Sequence, residues 1–205
     1  VYMDSRMALP HMHEHIPGSL FMPMYPIDLP DFEPLKRLPK GTWIVVYGSD
    51  KLQNNKRLVT ALMNSGVRGV HLLSGGIATW KAAGRKTVSH TPLEVAATAV
   101  RTERTLFIDA RDEEAYLEGQ LKGSLNLPFD TTLPPDKKLL AKIKTHKGPV
   151  VVYDSGKKGE KSPALGVYAD LTARGITTVR IVTGGISALT GAGFTLVKEA
   201  KGEDE

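Results

Sequence analysis

The chain has 205 residues, 41% apolar and 24% charged, which is ordinary globular usage and enough for one large or two small domains. Its net charge of +5 is dispersed: no block of like charge resembles a nucleic-acid arm, and no apolar run approaches a membrane span. Cysteine is absent, which excludes disulfides, thiolate metal sites and thiol catalysis together. A thiol-free chain suits the bacterial envelope slightly better than the cytoplasm, and the compartment stays open. The first residue is Val1 rather than Met, so a trimmed N-terminus is expected.

Taken in order, Val1 to Asp4 is an apolar strand that ends in Asp4-Ser5-Arg6. Asp4 and Arg6 are expected to form a structural ion pair at the strand end. Next comes His11-Met12-His13-Glu14-His15, and five of the six methionines lie in the first 24 residues. Alternate histidines on an extended segment would share a face, so His11, His13 and His15 are candidate ligands for copper or a similar ion. The plainer reading makes His15 part of a turn, His15-Ile16-Pro17-Gly18, and the methionines core filler. Ile44 to Tyr47 is a second apolar strand. It runs into a loop, Gly48 to Arg57, that carries Ser49, Lys51, Lys56 and Arg57. Leu72-Leu73-Ser74-Gly75-Gly76-Ile77 is a strand end with a Gly-Gly turn, and residues 84–90 form a short polar join. Trp43 and Trp80 read as core or domain-interface aromatics.

The same features then recur. Thr91-Pro92-Leu93-Glu94 has the capping Thr, first-turn Pro and acidic residue of a helix start. Leu106 to Asp109 is a buried strand followed by Ala110 and Arg111, with Asp109 and Arg111 the second expected ion pair. Asp112 to Glu118 is a short helix, and residues 131–147 are a loop and a helix with a solvated basic face. Val150 to Tyr153 is a continuous apolar strand leading into Asp154, Ser155, Gly156, Lys157, Lys158, Gly159 and Lys161. Ser162 to Arg174 has helical spacing and stops at Gly175. Val179 to Val182 is a strand before a second Gly-Gly turn, Gly184-Gly185. The matches stand about 105 residues apart at the start and about 109 at the end, in the same order, which is the signature of a duplicated domain. Continuous apolar strands alternating with helices predict parallel sheets covered on both faces. The first copy has no counterpart of residues 91–105. Either the chain extends upstream or another chain is expected to complete that sheet edge.

With these pieces assembled, the chain resembles the rhodanese-like superfamily in tandem arrangement over nearly its whole length. The resemblance rests on the two Asp-x-Arg strand ends, the His15 to Gly18 turn (degenerate at Gln120 to Gly123), the two Val-Val-Tyr strands and Gly75-Gly76-Ile77 with Trp80. In the second copy, Gly184-Gly185-Ile186 recurs and the Trp is lost. It implies two α/β domains, 1–87 and 91–200, each a mostly parallel sheet flanked by helices, and an acidic tail at 201–205. It also implies that the residue after each Val-Val-Tyr strand should be a cysteine that accepts a sulfane sulfur from a donor such as thiosulfate. Those positions hold Gly48 and Asp154, and neither suits sulfur relay. An acidic residue here resembles the inactive half of two-domain rhodaneses, except that neither half of this chain keeps the thiol.

The expectation is a pseudoenzyme acting as a binding or assembly module for protein partners, with no cofactor and no catalytic residue. The loop amides and cations at Gly48, Ser49, Lys51, Lys56, Arg57, Ser155, Gly156, Lys157, Lys158, Gly159 and Lys161 are candidates to retain a small oxyanion. The alternatives are a sulfurtransferase that borrows a partner's thiol, and metal binding by the N-terminal histidines. A hydrolase built on Ser49, Ser155 and His71 lacks an identifiable orienting carboxylate.

Overall fold

A computed structural model of the chain describes residues 1–24, 32–49, 53–130, 135–157 and 162–198. They fall into two compact units, Val1 to Thr91 and Pro92 onward. In the first unit β1 (Tyr2–Asp4), β2 (Leu20–Phe21), β3 (Ile44–Tyr47) and β4 (Val70–Leu72) form one sheet in the order β2-β1-β3-β4, with every pairing parallel. Four helices belong to it: α1 (Ala8–His13), α2 (Glu33–Lys36), α3 (Gln53–Asn64) and α4 (Gly76–Ala82).

The second unit repeats this plan. Its strands are β5 (Glu94–Ala96), β6 (Leu106–Asp109), β7 (Gln120–Leu121), β8 (Leu125–Asn126), β9 (Val150–Tyr153), β10 (Val179–Thr183) and β11 (Leu196–Val197). The main sheet has the order β5-β10-β9-β6-β8, again all parallel, and β7 pairs with β11 in a small antiparallel ribbon. The helices are α5 (Glu113–Glu118), α6 (Lys137–Thr145), α7 (Pro163–Ala173) and α8 (Gly185–Gly191). Read from the β8 end, β8-β6-β9-β10 is the order of β2-β1-β3-β4. Register repeats too: Asp4 pairs with Tyr47 in one sheet and Asp109 with Tyr153 in the other.

The central strands are buried because helices cover them. Ile44 and Val46 of β3 pack with Met3, Leu58 and Leu62, all but inaccessible, and each such side chain contributes about 1.5–3 kcal/mol by burial. On the other face Tyr47 meets Ile16 and Ile77. In the second unit Phe107, Val151, Tyr153, Val182 and Leu189 form the corresponding cluster. Helix starts follow local chemistry. Asp112 caps α5 by accepting from Ala115 N at 2.8 Å, Asp136 caps α6 through Leu139 N at 2.8 Å, and Ser162 caps α7 through Leu165 N at 3.2 Å. Pro163 opens α7, and Gly175, at φ 86°, takes the left-handed conformation just past its end.

Three expectations are corrected. Thr91 to Glu94 does not start a helix. Glu94–Ala96 is an edge strand, followed by a single 3-10 turn at Ala97–Ala99. The ladder to β10 (Glu94 beside Ile181, Val95 beside Val182) and the packing of Val95 on the core outweigh a capping signal worth about 1 kcal/mol. Trp43 is not a core residue: it is 66% exposed, its ring 4.5 Å from that of His71. The N-terminal histidines are not on an extended segment. Helix α1 ends at His13 and holds His11 and His13 on different sides, while His15 lies beyond it in a bridge to Val88, and the rings that stack are those of His11 and His15.

At one edge the copies differ. In the second unit β5 lies along the outer side of β10, whereas its counterpart β4 carries no strand there among the described residues. No helix among the described residues is long and apolar enough to cross a membrane.

Candidate functional site

Each unit gathers its polar machinery where the central strands end. In the first, the Arg6 guanidinium donates to both Asp4 carboxylate oxygens, at 2.9 and 2.7 Å, and to the Glu14 carbonyl. In the second, Arg111 donates to Asp109 at 2.9 and 2.6 Å and to the Gly119 carbonyl at 2.7 Å. In both, a fully buried carboxylate at a strand end is neutralised by an arginine that also secures the backbone eight residues on. Burial alone would raise the Asp4 carboxyl. The hydrogen bonds from Arg6 and His11 outweigh it and hold the group at about 2. The next layer repeats as well. Tyr47 Oη accepts from Ile16 N at 3.1 Å, and Tyr153 Oη from Leu121 N at 3.4 Å. Burial pushes both phenols up.

The two residues after β3 and β9 sit in equivalent cradles. The backbone carbonyl of Gly48 accepts from Ile77 N at 3.0 Å, and that of Asp154 from Ile186 N at 2.7 Å. This explains the Gly-Gly-Ile turns. Gly76 and Gly185 have φ of 58° and 62°, and a Cβ on either would overlap the carbonyl oxygen of Gly48 or Asp154. Only glycine admits so close a backbone approach.

What fills the cradles differs. Beside Gly48, the space a side chain would take is occupied by the Asn55 amide from α3: a Cβ on Gly48 would overlap Asn55 Oδ1. Asn55 is buried, accepts from Ser5 Oγ at 2.7 Å and donates to the Ser49 carbonyl at 3.3 Å. Ser5 Oγ also lies 3.0 Å from the Tyr47 carbonyl. In the second unit Asp154 itself fills the place. Its buried carboxylate accepts from Gly156 N at 2.7 Å, Ser162 Oγ at 2.7 Å and Ala164 N at 3.2 Å. Those donors belong to the loop and the first turn of α7, the groups that would face an incoming anion. They are already engaged by an internal one. Asp154, Gly156, Lys157 and Ser162 line a cleft of about 350 Å³ that Glu94 also faces, so among the described residues Lys157 stands there with two carboxylates.

Of the other expected loop residues, Ser49, Lys56, Arg57, Ser155 and Lys157 are exposed, while Lys51, Lys158, Gly159 and Lys161 lie outside the described residues, as does the tail at 201–205. Lys56 and Arg57 stand in the first turns of α3. His71 lies on β4 against Trp43. His11 and His15 come together, but with His90 rather than His13. Sequence reasoning passed over Asn55, Ser5 and His90. A signal for Asn55 was present: a Gly in the nucleophile position implies that something else takes the space, and an amide stood seven residues on.

The comparisons agree with this anatomy. A family model described as rhodanese-like domain matches residues 2–83 and again 92–192. Among solved structures the chain is similar to a thiosulfate sulfurtransferase from Pseudomonas aeruginosa (20% identity, TM-score 0.40), covering 97% of this chain and 40% of that one. It is also similar to SseA from Escherichia coli, a protein of the 3-mercaptopyruvate sulfotransferases (19% identity, TM-score 0.32, 90% of this chain and 91% of that one). A 3-mercaptopyruvate sulfurtransferase from Leishmania major is similar as well (15% identity, TM-score 0.35, 93% and 70%). No curated protein matches. The chain thus spans less than half the length of the Pseudomonas protein. With the family model met twice, the chain belongs to the rhodanese-like family as a tandem member with no cysteine in either domain.

Proposed function

We propose that the chain is a catalytically silent pair of rhodanese-like modules, 1–87 and 91–200, that serves binding or assembly with protein partners. The observation that carries the reading is the filling of both cradles by the protein's own polar groups, Asn55 at Gly48 and the Asp154 carboxylate in the second unit. A sulfurtransferase needs there an ionisable sulfur and free N–H donors to hold it and its anionic substrate. Neither loop supplies the first. At the second, three donors are committed. A partner's thiol would have to displace those groups before it could use the donors, which counts against the borrowed-thiol alternative.

The oxyanion form of the reading is favoured at the first loop rather than the second. Asn55 is neutral, so it does not repel an anion near Lys56 and Arg57 as Asp154 and Glu94 would in the other unit. The test has two arms. Incubation with thiosulfate labelled at the sulfane sulfur, followed by intact-mass analysis, is expected to give no covalent adduct and no thiocyanate from cyanide above background. Native mass spectrometry of the chain isolated from its own cells is expected to give a defined heteromeric species. A sulfur adduct in the first arm overturns the silent reading, and a bare monomer in the second overturns the assembly role.

A further inference from the structure

Three of the histidines of the first unit, His11, His15 and His90, point to a metal site that the rhodanese plan does not require. His11 lies in the last turn of α1 and His15 just beyond its end, and both are buried. The polar join then returns to them. His15 N donates to Val88 O at 2.8 Å, Val88 N to His15 O at 2.9 Å, and His90 N to Met12 O at 2.8 Å. This clamp lays the imidazoles in a row, His11 on His15 with ring centroids 4.2 Å apart, and His15 on His90 at 4.8 Å. One ligand nitrogen from each lies within 4.8 Å of the others.

The two buried rings have their tautomers set. His15 Nδ1 is 2.9 Å from the His11 carbonyl, which can only accept, so Nδ1 carries the proton and Nε2 the lone pair. His11 Nδ1 is 2.8 Å from Asp4 Oδ2, a buried carboxylate that favours the same tautomer. Among the described residues no hydrogen bond reaches Nε2 of either ring, nor any ring nitrogen of His90. A carboxylate on one imidazole and a backbone carbonyl on the next are the outer partners that orient histidines toward a metal and raise their basicity. Glu14, the other nearby carboxylate, is committed to Lys81 and Thr87, both at 2.9 Å, and offers no competing ligand.

We propose that His11, His15 and His90 bind one divalent cation of the zinc class through three imidazole nitrogens, with Asp4 as outer partner and a solvent molecule in the fourth position. Three neutral imidazoles are a ligand set suited to Zn(II), Ni(II) or Cu(II) rather than to Mg(II) or Ca(II). At a Zn–N length of about 2.0–2.1 Å, tetrahedral geometry brings the nitrogens to about 3.3 Å from one another. The rings must therefore turn out of their stack and close by roughly 1.5 Å on binding. Exposed His90, hydrogen-bonded through its backbone and stacked on His15 by one face, is the ring placed to make most of that movement. Binding would bridge the α1 end and the join at residues 84–90, so the ion would stabilise the first unit by mass action.

The test is titration of the untagged full chain with zinc chloride at neutral pH, read by calorimetry, with thermal melting and the visible spectrum of the cobalt(II) form alongside. One ion per chain, a raised melting midpoint and intense low-coordinate cobalt bands are expected. H90A should weaken binding by about tenfold or more while leaving the metal-free melting midpoint unchanged, because the ring is exposed. H13A should bind as the parent does. Absence of saturable uptake overturns the site, and so does an H90A protein that binds as tightly as the parent or an H13A protein that loses as much as H90A.

Discussion

Removing the Asp154 carboxylate should both weaken the second unit and create the anion site that the side chain now fills. In D154A, two backbone N–H groups and the Ser162 hydroxyl lose their acceptor. Each buried donor left unpaired costs about 1–3 kcal/mol. The cleft is open enough to admit water, which favours the lower figure, so a loss of about 3 kcal/mol is expected. For a unit near one hundred residues that is a fall in midpoint of about 12–24 °C. Sulfate should then restore part of it. At 50 mM sulfate and a dissociation constant of about 5 mM, binding returns roughly 1.4 kcal/mol to the variant and nothing to the parent, whose donors are occupied. The assay is thermal and urea unfolding of parent, D154A and D154S at matched ionic strength, with chloride against sulfate. D154S keeps a small acceptor in the cradle and serves if D154A does not fold. Equal sulfate stabilisation of parent and variants would refute the reasoning, and so would a loss below about 0.5 kcal/mol in D154A.

Three further outcomes follow from the same geometry. G48A should cost about 2–3 kcal/mol because its methyl meets the buried Asn55 amide, whereas G48A combined with N55G should recover at least about 1 kcal/mol, a coupling that double-mutant unfolding measures. R111M should destabilise by about 3–5 kcal/mol by stranding the fully buried Asp109 charge, with D109N/R111M recovering part, as urea midpoints will register. Burial holds the Tyr153 phenol above its usual 10.0, so the folded state keeps that proton after the unfolded chain has released it. The resulting stability is whole below pH 10 and declines as pH rises toward the folded value. Y153F should therefore flatten the alkaline arm of a stability profile taken between about pH 8 and 11.

How much of this was legible in the sequence depends on the range of the interaction. The strands Leu106–Asp109 and Val150–Tyr153 and helix α7 were readable because apolar continuity, a Ser-Pro start and a terminal Gly are local signals, and the duplication repeated them. Glu94–Ala96 was misread because its helix-start residues are also local, while the force that makes it a strand is a ladder to β10 about ninety residues away. Trp43 is no core residue for a related reason: an aromatic beside an apolar run looks internal, but it stands just before β3 begins, exposed and against His71. At the cradles, residue identity at 48 and 154 was visible, and so was the absence of cysteine. The filling of the space was not, since it needs the contact of Asn55 with the β3 end and the turn of the Asp154 side chain into its own loop. His90 joined the histidine row only through the clamp at Val88, which no spacing rule anticipates.

The two cradles separate what the motifs of this chain report. Asp4 with Arg6, Asp109 with Arg111, and the Gly-Gly-Ile turns all persist, and each has a structural task that survives without sulfur chemistry. The arginines neutralise buried carboxylates and hold the loops eight residues on, and the glycines let Ile77 and Ile186 donate to the carbonyls after β3 and β9. Loss of any of them would leave buried polar groups unpaired, at a cost comparable to much of a small domain's stability. The position after the strand is loaded differently in the two units, by the Asp154 carboxylate in the second and by a missing side chain in the first. With no thiol there, the cradle still presents donors and volume that must be satisfied. One unit met that requirement with a side chain from elsewhere, which obliges residue 48 to be glycine, and the other with a carboxylate at the position itself. Asn55 and Asp154 are therefore read together with Gly48, as two local ways of filling the same cradle.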